Sequence, residues 1–315
     1  MTAITRPTAI VFAYHNVGVR CLRALLDGGV EVPLVVTHAD DPAEAIWFQS
    51  VAAVAAEHGI NCVAPADPNT PELLARCAAL APDYLFSFYY RQMLKAPLLQ
   101  LASRGAYNLH GSLLPSYRGR APVNWAVLCG ERETGATLHL MNEKPDNGAI
   151  VDQCAVPILG DDNAREVFDK VTVAAEIVVA RALPRLLDGS ARPVPQDLSK
   201  GAYFGGRRAA DGRIPPRAGA QQIHHLVRAV APPYPGAWFD VRGRRVVLLR
   251  TRLGPGPVAA PASAFRFGAD ADGQLWLTAV DGLRLQVLAA TLDGRTLDGP
   301  GLRAVFGLEP VAPDL

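Results

Sequence analysis

Asn108 and His110 are the side chains of this sequence whose types and spacing best suit acyl chemistry. They are separated by one residue, and such positions on an extended strand point to the same side, so a carboxamide and an imidazole would face one pocket. A carboxamide can donate a hydrogen bond to an oxygen that becomes negative during acyl transfer. An imidazole can share that task when protonated, or can move a proton on and off the reacting nitrogen. The pair therefore predicts an acyl-transfer site.

A carboxylate close to this imidazole would raise its pKa and fix its orientation. Asp146, in a polar loop, is the expected partner, while Asp152, Asp161 and Asp162 remain alternatives from sequence alone. An N-x-H pair also occurs often by chance, and an aspartate beside an Asn-Gly dipeptide is ordinarily a turn residue. The three residue types by themselves thus leave a structural interpretation open.

The scaffold for these residues is predicted by the first half of the chain, in which short apolar runs alternate with stretches of helical pattern. This alternation is typical of βαβ units, and continuous apolar strands are typical of a parallel sheet covered on both faces. Ligands bind beyond the carboxyl ends of such strands, where Asn108 and His110 would lie. The predicted strands are Ala9–Tyr14, Val32–Thr37, Asn61–Pro65, Tyr84–Tyr89 and Ala106–His110, and the predicted helices are 17–28, 44–58, 71–80 and 93–103.

The remainder of the chain predicts a second domain of a different class. Proline, glycine and arginine dominate residues 189–219, which is typical of a linker. We predict a Rossmann-like α/β domain with an open, mostly parallel sheet at 1–190, a linker at 191–219, and a small β-rich, OB-like barrel domain at 220–315. Further predicted elements are a helix that starts after Pro122 and runs to about Cys129, extended runs Thr134–Met141 and Ala149–Ile158, helices 163–188 and 220–231, and strands at 236–241, 244–252, 274–280 and 283–290.

Composition narrows the class of function. The chain has 315 residues and a formal net charge of +1, which argues against nucleic acid as the main partner. The five cysteines are widely spaced and form no C-x-x-C pair, so we expect reduced thiols and no metal site.

The sequence contains neither a signal peptide nor an apolar run of membrane-spanning length, so we expect a cytoplasmic location without membrane insertion. The G-x-G-x-x-G, G-x-x-x-x-G-K-[ST] and G-x-S-x-G motifs are absent, which disfavours a dinucleotide site, a P-loop and a nucleophile elbow.

Residues 108–126, N-L-H-G-S-L-L-P-S-Y-R-G-R-A-P-V-N-W-A, resemble the signature of the folate-dependent formyltransferases. The likeness extends over most of the chain, through V-F-A-Y-H (11–15), F-S-F-Y-Y-R (86–91), G-A-I-V (148–151), V-R-A-V (227–230) and Y-P-G-A (234–237). Within that family the sequence most resembles the UDP-4-amino-4-deoxy-L-arabinose formyltransferases, which are often half of a bifunctional protein of lipid A modification. The resemblance implies a stand-alone enzyme without the decarboxylase domain, and a possible separate decarboxylase partner.

The resemblance also implies a role for each matching residue. Asn108 would stabilise the oxyanion of a tetrahedral intermediate, His110 would be the acid/base, and Asp146 would raise the pKa of His110. The formyl donor would be 10-formyltetrahydrofolate, the acceptor would be the 4-amino group of a UDP-linked sugar, and no metal would be required. Arg120 would lie on the side of the amine substrate, where an arginine can hold a diphosphate. The residues expected to line the pterin pocket are Gln92, Met93, Leu94, Asn142, Glu143, Lys144, Pro145 and Asp146.

The sequence leaves alternative functions open. The acceptor could be another nucleotide-linked amino sugar, or the chain could be a methionyl-tRNA formyltransferase, although no basic insertion occurs in its first half. A non-catalytic protein that binds folate or a nucleotide sugar is a further alternative. Arg118 could be a solvated loop charge. The sequence departs from many relatives at Ile214-Pro215-Pro216, where they carry a tryptophan shortly after an isoleucine or leucine.

Overall fold

The computed structural model describes residues 6–42 and 44–314. They divide into two compact units. The first unit runs to Pro122 and also contains Glu133–Pro157 and Phe168–Gly205, and the second contains Val123–Arg132, Ile158–Val167 and the residues from Gly206 onward. Among the described residues, no helix combines the length and the apolar character needed to cross a membrane.

The first unit is built on a seven-stranded sheet. Its strands are β1 (Thr8–Ala13), β2 (Glu31–Val36), β3 (Asn61–Val63), β4 (Tyr84–Phe88), β5 (Gly105–His110), β7 (Glu133–Leu140) and β8 (Ile150–Pro157), and a separate two-stranded sheet pairs β6 (Arg118–Gly119) with β9 (Tyr203–Phe204). The order in the large sheet is β3-β2-β1-β4-β5-β7-β8. Strands β1 to β5 pair in parallel, whereas β7 is antiparallel to both of its neighbours. The predicted Rossmann-like, mostly parallel sheet is therefore confirmed.

Helices connect these strands. They are α1 (His15–Asp27), α2 (Val51–Glu57), α3 (Pro71–Ala79) and α4 (Ala96–Leu99), and α5 (Pro122–Leu128) and α6 (Ala164–Leu187) follow along the chain. The starts of α2 and α3 follow from their caps, because the hydroxyls of Ser50 and Thr70 accept the backbone N–H groups of Ala53 and Leu73. Residues 15, 47 and 48 form an aromatic cluster, with the His15 and Phe48 ring centroids 3.9 Å apart.

Two predicted helices were too long. The prediction of 44–58 was wrong over its first half, because Ser50 caps a helix that begins only at Val51. Before that helix, the rings of Trp47 and Phe48 pack against His15. The prediction of 93–103 was wrong except for the single turn Ala96–Leu99. Leu94, just before that turn, is buried at 6% exposure in the core with Phe12 and Leu85.

The second unit contains α7 (Ala220–Ala229), β10 (Ala237–Val241), β11 (Arg244–Pro257), β12 (Arg266–Ala269), β13 (Leu275–Thr278), β14 (Leu283–Leu292), β15 (Arg295–Thr296) and α8 (Gly299–Phe306). The strands form a curled antiparallel half-barrel with order β10-β11-β14-β13-β12, and β15 pairs with β14. Phe239, Phe265 and Phe267 form its aromatic core. The β-rich class is confirmed, although the sequence prediction missed β12, β15 and α8.

The proline- and glycine-rich segment predicted as a linker carries short elements. Two single-turn 3-10 helices, Leu198–Lys200 and Ala209–Gly212, flank β9. At the unusual Ile214-Pro215-Pro216 sequence, the Ile214 side chain is buried, and its backbone N–H donates to the carbonyl of Trp238. The departure from the relatives thus falls on a residue that belongs to the core of the second unit.

Candidate active site

The carboxyl end of β5 brings Asn108 and His110 to one side of the sheet. The antiparallel strand β7 places His139 opposite Asn108, and Thr137 opposite His110. The carboxamide Nδ2 of Asn108 lies 3.2 Å from Nε2 of His139. His110 is 6% exposed, so its ring is almost withdrawn from solvent.

Asp146 lies beside both imidazole rings. Its Oδ1 is 3.5 Å from Nδ1 of His110 and 3.6 Å from Nε2 of His139. Its Oδ2 accepts a hydrogen bond of 2.8 Å from the backbone N–H of Gly119. The expected proximity of this carboxylate to His110 is therefore present, and one amide, two imidazoles and one carboxylate share a single buried site.

The alternative aspartates have other partners. The carboxylate of Asp152 accepts two hydrogen bonds from the guanidinium of Arg181, at 2.6 and 2.9 Å. Asp161 and Asp162 belong to the second unit, where Asp162 Oδ2 accepts the backbone N–H of Leu159 at 2.6 Å. The geometry thus singles out Asp146 among the candidates that the sequence left open.

The loop that carries Asp146 turns sharply. Asp146 has a φ of 56°, in the left-handed region that aspartate adopts more readily than most residues. Two residues later the backbone passes so close to β7 that a Cβ on Gly148 would overlap the carbonyl oxygen of Leu140. We name Asn142–Gly148 the Asp146 loop. Its close return to β7 requires glycine at 148.

The hydrogen bonds of His110 identify the nitrogen that titrates. Nε2 lies 2.8 Å from the carbonyl oxygen of Tyr117, and a carbonyl only accepts, so Nε2 carries a hydrogen. Nδ1 is then the nitrogen that gains or loses a proton, and it faces Asp146. Burial lowers the pKa of His110, and the charge of Asp146 together with the Tyr117 carbonyl opposes this only in part. The ring is thus neutral at neutral pH and can accept a proton at Nδ1.

Asp146 remains ionised because its surroundings lower the pKa of its carboxyl despite burial. Burial raises the pKa of its carboxyl, but the charge that His110 carries when protonated and the hydrogen bond from the backbone N–H of Gly119 are among the influences that lower that pKa to about 2. A carboxylate that stays charged beside a neutral imidazole stabilises the protonated ring once it forms. The pair is therefore suited to take up a proton during a reaction and to release it afterwards.

His139 is a site residue that the sequence interpretation missed. Its Nδ1 lies 2.8 Å from the carbonyl oxygen of Leu140, so Nδ1 carries the hydrogen and Nε2 accepts from Asn108. The contact fixes the direction of the Asn108 carboxamide. The one available signal was a histidine in the extended run Thr134–Met141, but the register that aligns it with Asn108 is a property of the folded sheet.

Asn69, which the sequence interpretation also missed, holds the backbone beside the predicted pterin-pocket residues that follow β4. Its Nδ2 donates to the carbonyl of Met93 at 3.0 Å, and its Oδ1 accepts from the N–H of Lys95 at 2.8 Å. Met93 is 54% exposed and Leu94 is buried. The side chain of Gln92 donates to the carbonyl of Ala66, while its Oε1 is buried and finds no partner among the described residues.

The remaining predicted pocket residues lie in the Asp146 loop. Asn142, Glu143 and Lys144 are exposed, and Pro145 is half-buried. Asn142 Oδ1 accepts the backbone N–H of Lys144 at 2.9 Å, which forms a local turn. The start of this loop is therefore organised by its own side chain.

The two arginines of R-G-R differ in their surroundings. Arg118 is not a solvated charge: its guanidinium donates to Asn147 Oδ1 and to the carbonyls of Leu198 and Gly201, at 3.1, 3.2 and 2.8 Å. Arg120 is exposed, and its backbone N–H donates to the carbonyl of Phe204. Within the described parts of the chain, no group of three or more His, Cys, Asp and Glu side chains is arranged to hold a metal ion.

Comparison with known proteins identifies the family. The formyl transferase profile matches residues 9–183, and the profile of the formyl transferase C-terminal domain matches residues 208–296. An N-formyltransferase from Helicobacter canadensis, solved with folinic acid and dTDP-3-aminofucose, has the same fold, with a TM-score of 0.70 and 19% identity over 90% of this chain and 99% of that one. WlaRD, a sugar 3N-formyl transferase solved with dTDP and 5-N-formyl-THF, gives a TM-score of 0.69 and 19% identity over 90% of this chain and 98% of that one.

HypX from Aquifex aeolicus, solved with tetrahydrofolic acid, also shares the fold, with a TM-score of 0.60 and 18% identity over 96% of this chain and 47% of that one. These identities are low, and the structures show likeness of fold. The formyl transferase profile alone spans more than half of the sequence, and the C-terminal profile covers much of the rest. The chain therefore belongs to the formyl transferase family.

Proposed function

We propose that this protein transfers a formyl group from 10-formyltetrahydrofolate to the amino group of a nucleotide-linked sugar, with UDP-4-amino-4-deoxy-L-arabinose as the first candidate acceptor. The observation that carries the proposal is the convergence of Asn108, His110 and Asp146, with 3.5 Å between the imidazole Nδ1 and the carboxylate. A chain that only bound folate would not need a neutral imidazole poised against a charged carboxylate.

The chemistry follows from these groups. When the acceptor amine attacks the formyl carbon, the carbonyl oxygen gains negative charge and the amine must lose a proton. The second amide hydrogen of Asn108 is free of His139 and can donate to that oxygen. His110 accepts the proton at Nδ1, and Asp146 stabilises the resulting cation. When the oxyanion collapses, the bond between the formyl carbon and N10 of the folate breaks, and His110 returns the proton to that leaving nitrogen. Binding both substrates in one reactive orientation contributes further to the acceleration.

The folate side of the proposal has its own support. The buried Oε1 of Gln92, which finds no partner among the described residues, is an acceptor suited to the amino groups of a pterin. Asn69 holds the backbone of residues 93–95 in place, so N–H and C=O groups there are fixed before a ligand binds. Two solved proteins of the same fold were crystallised with folate derivatives and a dTDP ligand. We assign Gln92–Leu94 and residues 142–146 to the formyl donor.

The acceptor side is supported by Arg120, which is exposed and follows Gly119, the residue that anchors Asp146. A guanidinium in that position can hold a diphosphate through two parallel hydrogen bonds. Other nucleotide-linked amino sugars form a second candidate class, favoured by the dTDP ligands of the solved sugar N-formyltransferases.

A panel of acceptors tests the proposal. The purified protein is given 10-formyltetrahydrofolate with UDP-4-amino-4-deoxy-L-arabinose, with UDP- and dTDP-linked amino sugars, or with methionyl initiator tRNA, and products are identified by mass spectrometry. We expect a formamide on a sugar nucleotide and none with His110→Ala. Formylation of the tRNA, or tight folate binding without any product, would reject the proposal.

A further inference from the structure

A segment predicted to be a linker lies against the Asp146 loop, within the first unit. We name residues 196–204 the strap. The carboxamide Nε2 of Gln196 donates to the carbonyl oxygens of Asp146 and Gly148, at 2.9 and 2.7 Å. One side chain of the strap thus forms hydrogen bonds with the backbone on both sides of Asn147.

The orientation of this carboxamide is determined by its partners. Both contacts are carbonyl oxygens, which only accept, so the amide nitrogen of Gln196 must face them. Gln196 is half-buried, and its Oε1 is buried without a partner among the described residues. Both amide hydrogens are therefore committed to the Asp146 loop.

The rest of the strap is linked to the Asp146 loop through Arg118. Arg118 donates to Asn147 Oδ1 and to the strap carbonyls of Leu198 and Gly201. The backbone of the strap pairs with Arg118 and Gly119 through β6 and β9, and the Phe204 ring stacks on Tyr117 with centroids 4.9 Å apart. Gly119 and Tyr117 are in turn the residues whose backbone bonds hold Asp146 and His110.

The backbone conformation of the Asp146 loop requires stabilising contacts from residues outside the loop. Asp146 has a left-handed backbone conformation, which is costly for a residue with a Cβ, and Asn142, Glu143 and Lys144 are exposed. A left-handed residue persists where surrounding contacts over-determine it. The two bonds from Gln196 are made to the carbonyl of Asp146 itself and to that of Gly148, so they hold the backbone that carries the carboxylate.

We propose that Gln196 is a positioning residue, which holds the Asp146 loop so that the carboxylate of Asp146 stays against Nδ1 of His110. Its catalytic consequence rests on the formyl transfer proposed above, whereas the positioning itself can be measured without turnover. Gln196 then supports the active site, whereas Ser199, which is exposed and whose hydroxyl bonds to Asp197, has no such role.

The test compares the wild-type chain with three variants. Gln196→Leu removes both donor hydrogens, and Gln196→Glu keeps the size of the side chain but presents a carboxylate to two carbonyl oxygens. Ser199→Ala is the matched control, because Ser199 is exposed and its hydroxyl bonds to Asp197 within the strap. Thermal unfolding checks that each variant is folded.

The first readout is the pKa of His110, measured by NMR of protein labelled at its histidines and assigned with His110→Gln. The titratable groups that act on this ring are Asp146 and His139. Withdrawal of the carboxylate removes an influence that raises the pKa of His110, so we expect a lower value in Gln196→Leu, which adds no charge, and the wild-type value in Ser199→Ala. An unchanged or higher value in folded Gln196→Leu would overturn the proposal, whatever the activity.

The second readout is turnover, with the affinity for the formyl donor measured separately. We expect kcat to fall by about 10- to 100-fold in the Gln196 variants, the usual effect of a small misplacement of catalytic groups, with the wild-type kcat in Ser199→Ala. If the wild-type protein formylates no amine, the proposed function fails, and the NMR titration still decides the role of Gln196. Normal kcat and a normal His110 pKa in Gln196→Leu would leave the function intact and reject the positioning role.

Discussion

Asn108 and His139 lie directly opposite each other on β5 and β7, and the amide nitrogen of one is 3.2 Å from the ring nitrogen of the other. Because Nδ1 of His139 donates to a backbone carbonyl, the ring presents an acceptor to the carboxamide. One amide hydrogen of Asn108 is thereby occupied, and the direction of the second is defined. The pairing of two antiparallel strands thus orients the group proposed to stabilise the oxyanion.

Loss of this contact should slow the reaction. In His139→Leu the Asn108 carboxamide loses its acceptor and can rotate, so we expect kcat to fall by about 10- to 100-fold with little change in affinity for the formyl donor. His139→Gln can still accept from Asn108 and should retain more activity. Steady-state kinetics with both variants checks this, and a wild-type kcat in His139→Leu would show that Asn108 needs no such orientation.

Removing the carboxamide itself should cost more. Asn108→Ala deletes one donor to the developing oxyanion, and we expect a rate lower by about 100- to 1,000-fold. Asn108→Asp has nearly the same size but places a carboxylate near the oxyanion, so its rate should not exceed that of the alanine variant. Single-turnover rates at saturating substrates measure the step directly, and a near-normal rate for Asn108→Ala would exclude the assigned role.

The pH dependence of kcat/KM should report His110. The ring must be neutral to accept a proton, and burial lowers its pKa below the ordinary 6.5. Activity should therefore be level above pH 6.5 and decline on the acid side as Nδ1 becomes protonated. In Asp146→Asn the carboxylate that raises this pKa is lost, so the acid limb should move to lower pH while the rate falls. An acid limb that stays in place would mean that Asp146 does not act on the titrating group.

A second histidine should make stability depend on pH. His38 is half-buried with its Nε2 accepting the N–H of Arg91, and burial followed by the charge of Arg91 lowers its pKa to about 4. The folded state therefore disfavours the proton. The stabilisation from neutral His38 is complete above the unfolded pKa of 6.5 and is lost as pH falls from there towards 4.

Urea unfolding at pH 7.5 and 4.5 tests this expectation. Wild-type protein should lose about 1–2 kcal/mol more of its unfolding free energy between the two pH values than His38→Gln, which carries no titrating ring. Equal losses in the two proteins would show that His38 titrates normally in the folded state.

Several features of this protein were determined by its sequence alone. The apolar runs that became β1, β2, β4 and β5 were placed to within a residue or two, because a strand buried on both faces needs a continuous stretch of apolar side chains. The alternation of these runs with helical patterns was sufficient for the parallel part of the sheet. The spacing of Asn108 and His110 placed both side chains on one side, since the period of an extended strand is two.

Other features were decided by the tertiary structure. The sequence left Asp152 as an alternative to Asp146 as the partner of His110. In the folded chain the carboxylate of Asp152 accepts two hydrogen bonds from Arg181, whereas that of Asp146 lies beside His110. It contained no sign that His139 faces Asn108, since strand register is a long-range property. It also described the strap as a linker, because composition records local flexibility but not the carbonyl groups that Gln196 meets in the folded chain. Residue types and short spacings set which chemistry is available, whereas contacts between residues far apart in the chain decide which side chains perform it.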